Sequence, residues 1–136
     1  MTMSSRRRTV AQGGSVMLEF ALAFMMLFGF FAGIFQFGYT FYAYNTLVNA
    51  VRQGARYASG RPHDAAFENT VRNQVVYGSP NPPAGAKPML NGLTTGNVAV
   101  RFTPAQVTVS ITNFQINAVF STVTLSDRPK ITYPVF

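Results

Sequence analysis

The chain has 136 residues, a net charge of +7 and no cysteine. That length holds one small globular domain at most, and the missing cysteines exclude disulfides, thiolate metal sites and thiol catalysis. The positive charge does not mark a nucleic-acid partner: Arg6, Arg7 and Arg8 lie together near the start, and the other basic residues are scattered over positions 52–130 without the clustered stripe that nucleic acid needs.

Three arginines followed by a long apolar stretch form a targeting signal. No charged residue occurs from position 20 to 51, and residues 20–42 alone supply the roughly 20 apolar positions that a membrane span requires. Three readings of this segment compete. A secretory signal removed whole should have a core of only about 7–15 apolar residues, shorter than the run found here. An uncleaved membrane anchor accounts for everything except Glu19, a carboxylate at the edge of the apolar run, which costs free energy in lipid. The third reading cuts the chain after Gly14. Ser15 then becomes the N-terminus and Glu19 the fifth residue of the mature chain. The new ammonium group is mostly charged at neutral pH and sits one helical turn from Glu19. Cleavage thus creates a charge that compensates the carboxylate, in the same chain or a neighbour, and leaves the apolar helix in place. A carboxylate there also complements the positive end of the helix dipole.

The apolar run is expected to continue as one helix to residue 59, with Gly60 and Pro62 as the stop. Leu47, Val51, Gly54 or Ala55, and Ala58 recur at helical spacing, with Asn45, Asn49, Arg52 and Arg56 on another face. Tyr39, Tyr42 and Tyr44 fall where an interfacial aromatic belt belongs. Gly29 and Gly33 form a small-x-x-x-small pair with Gln36 near the same face, a pattern suited to close helix packing and an interhelical hydrogen bond in lipid. Residues 64–76 read as a short second helix, with Phe67, Val71 and Val75 on one face and Glu68 paired with Arg72. Residues 78–92 carry four prolines and read as loop. From Val98 the period changes to two. Strands are expected over 98–102, 107–111, 119–125 and 130–133, with 113–118 connecting the second to the third.

The fold class is therefore α+β. A long N-terminal transmembrane helix extends into an exposed half, which a short helix and a small antiparallel β-sheet cover. The organisation is a basic leader over 1–14, the transmembrane and amphipathic helix over 15–59, a short helix and Pro/Gly-rich loop over 60–96, and the sheet over 97–136.

No catalytic constellation is present. His63, beside Pro62, reads as a surface residue in a turn, and Asp64 and Glu68 read as helix-start charges. There is no phosphate loop after a strand and no metal-ligand spacing, so we expect a non-enzyme without cofactor or metal.

The basic leader, Gly14 at the cleavage point, Glu19 at the fifth mature position and the apolar helix resemble the prepilin signal of the type IV filament superfamily. Gly14-Ser15-Val16-Met17-Leu18-Glu19-Phe20, then Phe35-Gln36-Phe37-Gly38-Tyr39, then Arg52-Gln53-Gly54-Ala55-Arg56-Tyr57-Ala58 are similar to the TadE-like family. These are minor pilins of the tight-adherence (Tad) machinery that assembles Flp pili. The resemblance is dense over 13–59, and Arg52, Gly54, Ala55, Arg56 and Tyr57 carry its most specific part. Phe20 stands where Flp major pilins usually have Tyr, and Gln36 where the family often has an acidic residue. The resemblance implies a pilin-like module whose partners are the lipid bilayer, a prepilin peptidase, other pilins and minor pilins, and an inner-membrane assembly platform. It implies a single pass through the bacterial inner membrane. The leader arginines place the N-terminus in the cytoplasm by the positive-inside rule, against the pull of Arg52, Arg56 and Arg61 at the other end. Two rivals remain, an uncleaved membrane-anchored module that binds an exported ligand and a secreted basic protein that binds polyanions. The mature N-terminus separates all three, at Ser15, near Met1, or well beyond residue 31.

Overall fold

The computed structural model describes residues 12–61 and 65–135. The leader residues Arg6, Arg7 and Arg8, and His63 and Asp64, lie outside the described residues. The elements in chain order are helix α1 (Gln12–Ser59), helix α2 (Ala65–Tyr77), a single helical turn at Thr95–Asn97, and strands β1 (Val98–Thr103), β2 (Gln106–Asn117) and β3 (Thr122–Pro134). This is the expected α+β class. The chain forms two compact units that divide between Phe35 and Gln36, so that α1 contributes to both.

In the first unit α1 is exposed at nearly every position. It is apolar and long enough to cross a membrane. Phe20, Phe24 and Phe28 recur every four residues and therefore lie above one another on a single helix face. Their rings stack at centroid separations of 6.4 and 6.5 Å.

The second unit is built on the remainder of α1. Ala43, Leu47, Ala50, Val51, Ala55 and Ala58 are buried there, the helical stripe expected from the sequence. The helix ends where Gly60 follows, with the Ser59 hydroxyl donating to the Arg56 carbonyl at 2.9 Å and the Arg56 cation in the last turn, where it complements the dipole. Helix α2 adds Val71, Val75 and Val76 to the core. Leu90 and Leu93 from the loop close it, and the Met89 amide donates to the Val76 carbonyl at 2.8 Å.

The sheet is antiparallel in the order β1-β2-β3. β2 lies in the middle and gives Val107, Val109 and Ile111, then Phe114 and Ile116, to the core. The inward positions change from odd to even between these two sets. Asn113, at φ 50, lies at the change. Asparagine tolerates this left-handed conformation better than most residues, and a local irregularity of this kind resets which side chains face inward.

Two expectations about the sheet are corrected here. Residues 113–118 are not a connection: β2 runs through Asn113 to Asn117, and the turn comprises residues 118–121, so that Val119 and Phe120 are turn residues rather than the start of a strand. The expected third and fourth strands are one strand, β3. Its pairing to β2 shifts register between Ser110 and Thr112, opposite Asp127 and Lys130. Arg128 and Pro129 are the residues taken up by that bulge. A proline that donates no hydrogen bond is tolerated on an outer strand or at a bulge, so Pro129 interrupts the sequence pattern without ending the strand.

Candidate functional site

The sequence singles out four places on α1, and the partners of the fourth appear only in the structure. The first is the N-terminal end. Gly14 and Ser15 are helical, close to Gln12, the first described residue of α1. Glu19 and Phe20 are exposed; Phe20 heads the stacked phenylalanine row.

The second place is Gly29 and Gly33. A Cβ built on either meets nothing within 4 Å. At about 100° per residue, these glycines lie on the side of the helix opposite Phe20, Phe24 and Phe28. The helix thus presents one broad aromatic face and one narrow face where another backbone can approach closely.

The third place is the Arg52–Tyr57 stretch, and its residues separate by role. Ala55 is fully buried while Arg52 and Arg56 are exposed. A Cβ on Gly54 would stand 2.3 Å from Cγ2 of Val75, so only glycine allows α2 to lie this close to α1. Tyr57 stacks on Phe67 of α2 at 5.7 Å, and Phe67 in turn meets Phe102 of β1 at 6.4 Å. Arg61 lies over the Tyr57 ring, its guanidinium carbon 4.4 Å from the centroid, and donates to the Tyr57 hydroxyl at 2.8 Å. The stretch that carries the family resemblance is therefore the seat on which α2 docks.

The fourth place is Gln36. Its amide nitrogen donates to the Ser121 hydroxyl at 2.6 Å, and its carbonyl oxygen accepts from the Phe120 backbone amide at 3.0 Å. Both partners are in the β2–β3 turn, which is closed by the Ala118 amide donating to the Ser121 carbonyl at 3.0 Å. The sequence marks Gln36 as a polar group in an apolar run but not its partners, because nothing in the alternation of positions 113–125 reveals where the turn falls. Separately, an open groove lies between α1 and β3, lined by Tyr44, Val48, Leu125, Asp127, Lys130 and Thr132 among others.

A candidate membrane span that runs on into a small helix-and-sheet body is the class that this fold and these residues define. Residues 14–56 match the sequence model of the family described as TadE-like protein. The match begins at Gly14 and takes in Glu19, Gln36 and the Gly54–Ala55 seat. No curated protein and no solved structure matches the chain.

Proposed function

We propose that the chain is a minor pilin, or pseudopilin, of a Tad-type pilus and secretion system. It acts as a structural or assembly subunit rather than an enzyme. It inserts in the bacterial inner membrane with its N-terminus in the cytoplasm, is trimmed by a prepilin peptidase between Gly14 and Ser15, and joins other pilins through its apolar helix. The observation that carries this reading is the family match beginning at Gly14, with Glu19 five residues further on. In the processed chain the Ser15 ammonium and the Glu19 carboxylate supply both members of an ion pair. Near the wet interface of a lone subunit such a pair contributes little. Between packed helices, where water is scarce, loss of one partner costs roughly 3–5 kcal/mol. The exposed narrow face at Gly29 and Gly33 supports close approach of a neighbouring helix.

The test is N-terminal sequencing of the protein from cells that hold the peptidase. The mature chain should begin at Ser15, and Gly14→Phe should accumulate as precursor. Normal trimming of Gly14→Phe overturns the cleavage site. The groove between α1 and β3 favours a second reading, an anchored module that binds an exported ligand; a mature chain that still begins near Met1 supports it.

A further inference from the structure

The β2–β3 turn carries two large apolar side chains that the fold does not use. Val119 is 62% and Phe120 65% exposed. They are not loosely held: Gln36 grips the turn through the Phe120 amide and the Ser121 hydroxyl, and Asn117 pairs with Thr122 across its base. The turn is thereby fixed at the level of Gln36, where the helix itself leaves Phe37 and Phe41 exposed.

This end of the second unit is also free of charge on both elements. On α1 the first charged residue after Gln36 is Arg52, about 24 Å further along at 1.5 Å per residue. On the hairpin no charged residue occurs from position 102 to 126, so the nearest on β3 is Asp127, about 17 Å from Thr122 at 3.3 Å per residue. The tyrosines Tyr39 and Tyr42, suited to a membrane interface, lie about 5 and 9 Å beyond Gln36 on the helix. If those rings mark the headgroup layer, the turn lies below it by about the 5–10 Å to which interfacial apolar groups sink. Several polar groups at this level are paired within the chain. The Gln36 amide, the Phe120 N–H and the Ala118 N–H all have partners, as groups must where water is scarce.

We infer that the β2–β3 turn is a second membrane contact: Gln36 holds Val119 and Phe120 in the outer-leaflet interface. The occupant of this apolar surface is lipid. The inference rests on the membrane-spanning reading of α1 and adds to it a contact made by the folded body. It explains why Gln36 stands in an apolar run, since its amide fastens the body to the bilayer at a fixed depth.

The chain has no tryptophan, so Phe120→Trp gives a single reporter in the full-length protein. A second protein with Phe28→Trp reports on the span. Each is reconstituted in phosphatidylcholine vesicles with and without bromine on the acyl chains near the headgroups, over a range of dilution by lipid. Phe120→Trp is expected to emit at short wavelength and to lose most of its emission in brominated lipid at every dilution. Replacing Gln36 by Leu in that background should shift the emission to longer wavelength and weaken the quenching. If Phe28→Trp is quenched and Phe120→Trp is not, the span stands and the turn contact is refuted. Blue-shifted emission from Phe120→Trp that resists bromine and fades on dilution assigns the surface to a protein neighbour, which also refutes it. If neither reporter is quenched, the span reading fails and takes the turn contact with it.

Discussion

Gly54 is the position where one added methyl group should report most clearly on the architecture. Its Cβ would stand 2.3 Å from Val75 Cγ2, against 3.4–4 Å for ordinary contact, so the two helices must part by about 1.1 Å (3.4 minus 2.3) or Val75 must turn. Val75 is fully buried, and a β-branched side chain in a helix has essentially one rotamer, so turning does not relieve the clash. Overpacking of this kind costs about 1–3 kcal/mol. Alanine in place of glycine in a helix returns about 1 kcal/mol. Gly54→Ala should therefore be neutral to destabilising, by about 0–2 kcal/mol. In a Val75→Ala background the clash is absent, and the same substitution should stabilise by about 1 kcal/mol. The measurement is equilibrium denaturation of the full chain in detergent micelles for the parent, both single variants and the double variant. The double-mutant cycle should give a coupling of about 1–3 kcal/mol. If Gly54→Ala stabilises equally in both backgrounds, α2 does not press on α1 at this point and the explanation for the glycine fails.

Leu47→Ala should cost about 2–5 kcal/mol in the same assay, because Leu47 is fully buried and its removal leaves a cavity; a loss below about 1 kcal/mol would place it outside the core. Glu19→Ala and Glu19→Gln should insert at least as well as the parent, since both remove a charge from lipid, yet lose co-purification with other pilins at matched membrane levels; unchanged association of both variants would refute a pairing role for Glu19. A reporter active only in the periplasm, fused after Phe136, should be active, and activity of a cytoplasmic reporter from that position would reverse the topology.

The helical half of the fold is legible in the sequence because its periods are long and strong. The Leu47–Ala58 stripe and the Phe67, Val71 and Val75 face are buried or half-buried where the spacing places them. The sheet is less legible because two residues disturb a short period. Asn113 reads as a turn former but sits inside β2 in a left-handed conformation, and the strand continues with its faces exchanged. Pro129 reads as a breaker but is absorbed by a bulge in β3. Each displaced the expected strand boundaries, and with them the position of the true turn. The hold of Gln36 on Phe120 and Ser121 joins residues 84 and 85 positions apart. No local pattern encodes such a partnership. Gly54 was legible as part of a motif, but its role, the near approach of Val75, needs the second helix in place.

The disposition of β3 has a consequence for copies of the chain that meet at high concentration. In the order β1-β2-β3 it is an outer strand, and a long outer strand is a template on which another chain can add and aggregate. Here the strand carries Pro129 midway, which has no N–H to offer, flanked by Asp127, Arg128 and Lys130. Charges and proline on an outer strand discourage the addition of a further strand. Repeated strand-to-strand growth, the route to insoluble fibres, is thus obstructed on the β3 side.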